Sequence, residues 1–278
     1  MTQPPVDPAG HTARVAGLFD ALAADYDGSG VDFFQPIAAG LLDALPPVPG
    51  ERWLDQGCGR GAVALPAAAA GAVVTARDIA PRMVAIVRDA AAAQGLVIDV
   101  DVDDAQSPDL PAASFDVVAS SAVLFFLPDP AAALRAWLPL LVPGGRLGVT
   151  TFGAVDDRWA HVDAVFTPYL PPGMSDARTT GKWGPFASDE GMERLVEEAG
   201  FTDVRTVAWT LPVRFADADQ WLAFSWSTGQ RRMWLSVPEE DRDAVRAEAV
   251  ARLRSYADPD GSVTFTQGVR HTLARRPG

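Results

Sequence analysis

A glycine-rich turn is the part of this sequence with the clearest chemical character. Gly57, Gly59 and Gly61 follow a short apolar strand that ends at Asp55, and an alanine-rich helix comes directly after them. Glycine permits a positive φ and lets a ligand approach the backbone closely. The turn therefore predicts a ligand that lies against the N-terminus of the following helix.

Two more carboxylates fall at the ends of the next predicted strands. Asp78 follows Asp55 at roughly the 20-residue offset at which an acidic side chain meets a ribose diol in nucleotide-binding α/β folds. Asp104 ends the third strand, and we expect its neighbour Asp103 to be the solvated member of the pair. Carboxylates at the carboxyl ends of adjacent parallel strands converge on the crevice where such sheets bind ligands.

The charge of Asp55 helps to choose among nucleotide ligands. A pyrophosphate site favours a neutral turn of the form G-x-G-x-x-G, whereas here glycines stand at every second position after a carboxylate. That carboxylate would repel phosphate and attract an ammonium or sulfonium group. S-adenosylmethionine carries both cations, together with a ribose for Asp78 and an adenine amino group for Asp104. The electrostatics thus favour it over NAD or ATP.

The elements that must position these residues alternate between strand and helix. Helical spacing is seen over 15–26 and 34–45, and apolar runs bounded by Gly, Pro and Asp predict strands at 52–55, 72–76, 97–102, 115–120 and 146–151. Helices are predicted between them at 62–70, 82–94 and 130–141, and later at 188–199, 217–235 and 238–256, with strands at 204–213 and 262–273. This alternation predicts an α/β fold with a parallel sheet covered by helices on both faces.

Composition narrows the class of protein. The chain has 278 residues, 48% hydrophobic, with a formal net charge of −13, which argues against nucleic acid or an anionic membrane surface as a partner. A single cysteine excludes an internal disulfide framework and a cysteine-based zinc site, and no cluster of metal ligands is evident. Because no apolar run reaches membrane-spanning length, we expect a soluble, cytoplasmic protein without membrane insertion.

Several short motifs, taken together, resemble a known family. They are 53–61 (WLDQGCGRG), 77–83 (RDIAPRM), 104–105 (DA), 113–118 (ASFDVV), 141–147 (LVPGGRL) and 197–201 (EEAGF). The sequence resembles the class I S-adenosylmethionine-dependent methyltransferases, in particular the ubiquinone/menaquinone methyltransferase-like group (methyltransferase types 11 and 25). The resemblance covers roughly residues 15–275.

The resemblance implies a Rossmann-like, seven-stranded sheet whose last strand is antiparallel. It implies one methyltransferase domain over 1–278, with an N-terminal helical cap at 11–47, an S-adenosylmethionine-binding core at 50–151, and substrate-side insertions that act as lid segments at 153–186 and 214–257. Two positions depart from the family pattern: Gln56 replaces an aliphatic residue, and the segment 106–110 lacks the usual Leu-Pro-Phe.

The acidic strand ends receive roles from the resemblance. Asp55 would bind the amino group of the methionine moiety, and Asp78 would bind the ribose hydroxyls. Asp104, with the Ala105 backbone, would bind the adenine, and Ile79 belongs to the same cofactor-binding set.

The remaining cofactor residues surround the methionine moiety. Gly57, Gly59 and Gly61 would line it, and Ser120 would contact its end. Tyr26 could close over it from the N-terminal cap.

The acceptor side is less specific in the sequence. A hydroxyl acceptor usually needs a general base, and histidine is the natural candidate. Of the three histidines, His161 is the candidate catalytic base, because it lies near Asp163 in the insertion where the fold places acceptor residues; the alternative is that it is a surface residue. His11 falls in the N-terminal arm and His271 in the closing strand.

Aromatic residues are candidate substrate contacts. Phe125 and Trp183 are predicted to touch the substrate, although core packing is the alternative for Phe125 and its neighbour Phe126. Lys182 and Arg178 could hold an anionic group.

The predicted reaction is O-methylation of a small organic molecule. The alternatives are N- or C-methylation, including methylation of a quinone-like ring, or an S-adenosylmethionine-dependent rearrangement or cyclisation without methyl transfer. A homodimer is possible.

Overall fold

The computed structural model describes residues 8–171, 178–179 and 184–278. Its strands are β1 Arg52–Gln56, β2 Val73–Asp78, β3 Ile98–Val102, β4 Phe115–Ser121, β5 Leu141–Val155, β6 Thr202–Phe215 and β7 Val263–Arg275. They form a seven-stranded sheet in the order β3-β2-β1-β4-β5-β7-β6. Strands β1 to β5 pair in parallel, and β7 runs antiparallel to β5 and β6. The predicted sheet with an antiparallel last strand is confirmed.

Helices connect the strands and cover both faces of the sheet. Their bounds are α1 Pro8–Leu22, α2 Phe34–Ala44, α3 Ala64–Ala69, α4 Pro81–Ala93, α5 Pro130–Trp137, α6 Asp157–Asp163, α7 Asp189–Glu198, α8 Ala218–Ser227, α9 Arg231–Ser236 and α10 Arg242–Arg254. Local sequence sets where several of them begin. Proline occupies the first position of α4 and α5, where its missing N–H costs no hydrogen bond. The Ser188 hydroxyl caps α7 by accepting from the Gly191 amide at 3.0 Å.

Strand β1 shows how the helices on the two faces of the sheet are held against it. Successive side chains of a strand point to opposite faces, and β1 is buried on both. Trp53 packs into the cluster formed with α2, α3 and α4, and Leu54 packs into the cluster formed with α5 and α7. The predicted helices on both faces are therefore confirmed.

A third, aromatic-rich cluster lies under the extended ends of β5, β6 and β7. Trp159 of α6 stacks on Phe265 at 5.5 Å between ring centroids and meets Phe215 edge-on at 5.6 Å. Trp221 and Phe224 of α8 are buried in the same cluster. It supports the helices that follow β6, which carry one wall of the site described below.

Several elements differ from the sequence prediction. Helix α1 spans Pro8–Leu22 instead of 15–26, and α5 ends at Trp137 instead of 141, where a short 3-10 helix leads into β5. The predicted helix 217–235 is two helices, because Thr228 adopts an extended conformation between α8 and α9. Strand β5 begins at Leu141 and ends at Val155, beyond both predicted bounds, since it pairs with β4 at one end and with β7 at the other. Across the described ranges, no helix combines the length and apolar character that a membrane crossing requires.

Candidate active site

A large cavity opens at the carboxyl ends of the first four strands, where the strand order reverses between β1 and β4. This switch point is where open α/β sheets bind their ligands. The walls are the turn after β1, the ends of β2 and β3, and the loop after β4, while Thr12, Val15 and Phe19 of α1 lie on the opposite side. We call this space the large cavity.

Asp55 is a buried carboxylate that faces this cavity. It is 1% exposed, and its Oδ2 has no hydrogen-bond partner among the described residues. Burial raises its pKa to about 7, although the Ala64 amide donates to it and opposes that shift. A buried carboxylate oxygen without a partner is costly, so the position suits a ligand that brings a cation.

The three glycines of the turn have positive φ values of 73°, 52° and 87° at Gly57, Gly59 and Gly61. A Cβ at Gly57 would lie 2.4 Å from a methyl group of Val123, so the turn packs tightly there. A Cβ at Gly59 would meet nothing within 4 Å, and Gly59 lines the large cavity. This part of the turn is thus shaped to leave room for a ligand against the backbone.

Asp78 joins the glycine turn to the loop after β2. Its Oδ2 accepts from the Gly59 amide at 2.8 Å and its Oδ1 accepts from the Ala80 amide at 2.9 Å. Burial raises the pKa of Asp78, and these amide bonds oppose the shift. Ile79 lines the cavity beside it. Each carboxylate oxygen retains a second acceptor position, which is the chemistry that a ribose diol needs.

The loop after β3 brings two carboxylates to the cavity rather than one. Asp104 lines it and accepts from the Gln106 amide at 2.9 Å. Asp103 lines it as well, and its Oδ2 is buried without a hydrogen-bond partner among the described residues. The expectation that Asp103 is solvated is wrong, because its Oδ1 accepts from the Asp104 amide and the side chain turns inward. Ala105 is held in place by Trp137, whose Nε1 donates to its carbonyl at 2.7 Å.

Tyr26 lies where the large cavity meets a second, smaller pocket. Its ring stacks on Phe34 with centroids 4.9 Å apart and meets Phe19 of α1 edge-on at 5.9 Å. Burial, helped by Asp27 and Asp78, raises the pKa of Tyr26 well above its usual range, so its hydroxyl stays protonated. Tyr26 thus provides a neutral wall between the two spaces.

Ser120 does not reach the cavity. Its hydroxyl donates to the Gln56 carbonyl at 2.8 Å inside the sheet, while Ser121 and Ala122 line the cavity instead. Gln56 itself is fully buried. The prediction therefore chose the correct strand end. Because side chains alternate along a strand, however, Ser121 rather than Ser120 lies at the cavity.

The structure also shows a cavity residue that the sequence analysis missed. Asp27 lines the large cavity beside Arg60 and Gln35, with an unusual φ of 55°. Burial raises the pKa of Asp27 to about 6, with Arg60 opposing the shift. Its only sequence signal was its position directly after Tyr26.

The second space, which we call the aromatic pocket, is lined mostly by phenylalanine rings. It shares part of its wall with the large cavity, namely Phe19, Tyr26, Phe34, Ala122 and Phe126. Phe125 lines this pocket and stacks on Phe152 at 5.3 Å. Trp183 and Lys182, two other predicted substrate contacts, lie outside the described residues.

One side of the aromatic pocket is polar. Gln230 and Arg178 line it, and both bind the buried carboxylate of Asp163. The Gln230 Nε2 donates to Asp163 Oδ1, and the Arg178 guanidinium donates to Asp163 Oδ2, each at 2.6 Å. The Arg178 guanidinium also lies 4.0 Å from the centre of the Trp159 ring. This network gives the pocket fixed polar groups in an apolar surrounding.

The histidines are not brought to either space. His161 is exposed on α6, where its Nδ1 is 2.8 Å from the Tyr256 hydroxyl, and it is not among the described lining residues of either space. His271 is buried in the sheet, and His11 donates from Nε2 to the Phe126 carbonyl at 2.8 Å. The geometry therefore does not support the predicted role of His161 as a general base.

The large cavity fits S-adenosylmethionine on structural grounds. Asp55 offers an unpartnered buried oxygen where an ammonium group would neutralise it. Gly59 leaves open space at the turn, and Asp78 keeps acceptor capacity beside it. Asp103 and Asp104 supply acceptors for an amino group at the third strand end.

Comparisons with known proteins agree with this geometry. Residues 54–149 match the family model described as "Methyltransferase domain". The chain is 37% identical over 274 residues to nocamycin O-methyltransferase of Saccharothrix syringae, covering 93% of this chain and 97% of that protein. It is 35% identical over 206 residues to aklanonic acid methyltransferase of Streptomyces sp. strain C5, covering 69% of this chain and 93% of that protein.

Among solved structures, the YcgJ protein of Bacillus subtilis has the same fold, with a TM-score of 0.60 at 15% identity, over 87% of this chain and 99% of that one. The fold, the glycine turn with its acidic strand ends, and the similarity to two named methyltransferases over 93% and 69% of the chain lead to one assignment. The chain belongs to the class I S-adenosylmethionine-dependent methyltransferases, and S-adenosylmethionine is its cofactor.

Proposed function

We propose that this enzyme transfers the methyl group of S-adenosylmethionine to an oxygen atom of a small, largely apolar organic molecule. The observation that carries the proposal is the connection between the two spaces: Phe19, Tyr26, Phe34, Ala122 and Phe126 belong to both. A cofactor in the large cavity and an acceptor in the aromatic pocket would therefore meet beside Tyr26. The names of both curated relatives, which are methyltransferases of small molecules, support the same class of reaction.

Within the large cavity, we propose that Asp55 binds the amino group of the cofactor and that Gly57, Gly59 and Gly61 line its methionine moiety. Asp78 would accept from the ribose hydroxyls. Asp103 and Asp104, the latter with Ala105, would hold the adenine, and Tyr26 would cover the methionine end. The proposal is supported because all of these residues except Gly61 line the same cavity. Gly61 would contribute through the positive φ that shapes the turn.

When bound, the cofactor supplies an electrophilic methyl group on a sulfonium. An acceptor oxygen that had lost its proton to solvent would take this methyl group, and the electron pair of the broken carbon–sulfur bond would stay on the sulfur as a neutral thioether. The protein's part is to orient the two reactants and to exclude water. The phenylalanine walls of the aromatic pocket suit that role, since a flat apolar acceptor would be held by burial and ring stacking.

The test is mass spectrometry of candidate acceptors incubated with the purified protein and methyl-labelled S-adenosylmethionine. The panel would comprise aromatic and polycyclic compounds that carry hydroxyl or carboxyl groups. We expect a product that gains one labelled methyl group on oxygen, and a loss of turnover in Phe125→Ala. A product without added methyl mass would instead support the rearrangement or cyclisation alternative, and a methyl on nitrogen or carbon would replace the O-methylation proposal.

Other predictions about the whole chain rest on the sequence. The single domain, the homodimer and the cytoplasmic location stay predictions. The net charge of −13 continues to favour a small-molecule acceptor over nucleic acid.

A further inference from the structure

We propose that Gln230 determines acceptor specificity by accepting a hydrogen bond from a hydroxyl or N–H group on the molecule held in the aromatic pocket. This inference rests on the proposed function, because it takes the aromatic pocket as the acceptor site. It adds a chemical requirement that the phenylalanine walls alone do not impose. The acceptor must carry a hydrogen-bond donor on the side that faces α9 and the turn before it.

The orientation of the Gln230 amide is set by Asp163. Asp163 is buried and bonded to the Arg178 guanidinium at 2.6 Å, so it is held as a carboxylate, which can only accept hydrogen bonds. Its Oδ1 lies 2.6 Å from the Gln230 side chain, and that contact is favourable only if the amide nitrogen faces Asp163. The amide oxygen, Oε1, must then point away from Asp163.

That oxygen has no hydrogen-bond partner among the described residues, although Gln230 is only 1% exposed. The backbone of Gln230 is held as well, because its main-chain N–H donates to the Thr228 hydroxyl at 3.4 Å. Thr228, Gly229 and Gln230 together form one wall of the aromatic pocket. A fixed acceptor atom without a partner among the described residues therefore belongs to a side chain that lines a mostly hydrocarbon cavity.

Leaving a buried amide oxygen without a partner has a free-energy cost. An acceptor with a suitably placed O–H or N–H group would recover that free energy on binding, whereas an isostere without the donor would not. Sites that hydrogen-bond a substrate donor reject the analogue that lacks it for this reason. We expect the donor to improve affinity about 10- to 100-fold, which corresponds to about 1.4–2.7 kcal/mol.

The chain offers a matched control in Gln267. It is 0% exposed, and its Oε1 also has no hydrogen-bond partner among the described residues, yet it is not among the described residues that line the aromatic pocket. Its Nε2 donates to the Gly268 carbonyl at 3.0 Å and to the Arg178 carbonyl at 3.5 Å, so its contact with this pocket residue is through the backbone. Gln230→Met and Gln267→Met thus each remove a buried amide of the same kind, and only the first removes one from the pocket.

The experiment measures dissociation constants by calorimetry on the full chain saturated with S-adenosylhomocysteine. The probes are 2-naphthol and 2-fluoronaphthalene, which are similar in shape and differ in the hydrogen-bond donor. For each protein we take the dissociation constant of 2-fluoronaphthalene divided by that of 2-naphthol. The value for wild type is then divided by the value for each variant, because the different hydration of the two probes cancels in this quotient. We expect this quotient to favour 2-naphthol about 10- to 100-fold for Gln230→Met and to stay near one for Gln267→Met.

A quotient near one for Gln230→Met, with both probes bound by wild type, would overturn the role of Gln230 and leave the proposed function intact. If wild type bound S-adenosylhomocysteine but neither naphthalene, the aromatic pocket would not be the acceptor site, and both proposals would fail. Should Gln230→Met not fold, the comparison moves to wild type alone. Equal or weaker binding of 2-naphthol relative to 2-fluoronaphthalene would then count against the inference.

Discussion

At the scale of single residues, the cofactor site contains groups that oppose the stability of the protein without its ligand. Asp55 is buried with a raised pKa, and one of its oxygens has no partner in the part of the chain that the structure describes. An ionised carboxylate in that position is unfavourable until a cation binds beside it. The residue is therefore explained by binding rather than by folding, which is typical of functional sites.

Replacing Asp55 separates its effect on ligand binding from its effect on folding stability. Its folded pKa of about 7 lies above the ordinary value of 3.8, so the stability that it contributes is fully present at acid pH and is lost as the pH rises through 7. In Asp55→Asn the neutral amide can still accept from the Ala64 amide, and no buried charge develops. We expect the ligand-free variant to be more stable than wild type at pH 8 by a few kcal/mol, with little difference at pH 4. Chemical denaturation at both values measures this.

The same substitution should weaken the binding of S-adenosylhomocysteine at pH 8 about 10- to 100-fold, because one charged partner of its amino group is lost. Asp101→Asn is the control, since Asp101 is exposed on β3. It should leave the affinity for S-adenosylhomocysteine unchanged. Unchanged affinity in Asp55→Asn would show that Asp55 does not bind the amino group.

Gly59 offers a second test in which backbone strain and cavity space can be told apart. Gly59 and Gly144 have positive φ values of 52° and 75°, and an added Cβ would meet nothing within 4 Å at either position. Alanine should cost about 1 kcal/mol of stability at each, through the backbone alone. Only Gly59 lines the large cavity, so only Gly59→Ala should weaken S-adenosylhomocysteine binding in calorimetry. Equal affinities in the two variants would mean that the ligand does not lie against the turn.

At the scale of elements, α1 covers the large cavity and is held there by a few polar contacts. Asp20 Oδ1 accepts from the Arg82 amide at the start of α4 at 2.8 Å. Asp25, just beyond α1, pairs with Arg231 at 2.8 Å. These contacts connect the cover to α4 and α9, which lie on different sides of the site. Movement of α1 away from α4 therefore breaks the contact between Asp20 and Arg82.

Asp20→Ala should loosen this cover. The Arg82 amide is one of the unsatisfied donors at a helix N-terminus, and losing its cap costs about 1 kcal/mol. If α1 must open for the ligand to leave, S-adenosylhomocysteine should dissociate roughly five times faster from the variant in stopped-flow measurements. Asp43→Ala on the exposed face of α2 is the control and should leave the rate unchanged. An unaltered rate in Asp20→Ala would show that α1 is not the exit barrier.

The elements also show how far the sequence could predict this fold. Strands β1 to β4 and helix α4 follow from local signals, since apolar runs end at Asp, Gly or Pro. The extra length of β5 could not be predicted, because residues 152–155 are strand only through their pairing with β7. The same holds for the inward turn of Asp103 and for the use of Ser120 inside the sheet, which depend on neighbouring strands. Local propensity is a weak guide where tertiary pairing decides.

At the scale of the whole molecule, one sheet serves both spaces. Its parallel half ends at the large cavity, and its longer antiparallel half, with α6 and α8 to α10, supports the polar wall of the aromatic pocket. His271 lies within that second half and joins its three strands. Its Nε2 accepts from Trp209 Nε1 of β6 at 2.9 Å, so its Nδ1 carries the proton and donates to the Thr150 hydroxyl of β5 at 2.9 Å.

Acid should therefore destabilise the molecule through His271. Burial lowers its pKa to about 4 from the ordinary 6.5, so the folded state excludes a proton that the unfolded chain binds. The stability present above pH 6.5 is lost as the pH falls towards 4, by about 3 kcal/mol in total. A proton on Nε2 would also face the Trp209 N–H group and break that bond, and α2 leaves no room to adjust, because a Cβ on Gly40 would lie 2.8 Å from Nε2.

His271→Gln keeps a polar side chain at this position but cannot titrate. We expect it to be less stable than wild type at pH 7, because one hydrogen bond and the ring packing are lost, and to lose about 3 kcal/mol less between pH 7 and pH 4. Denaturant unfolding at half-unit pH steps measures the stability of both proteins as a function of pH. If the curves of wild type and His271→Gln ran parallel from pH 7 to pH 4, the acid sensitivity of the fold would have to arise outside the strands that His271 joins.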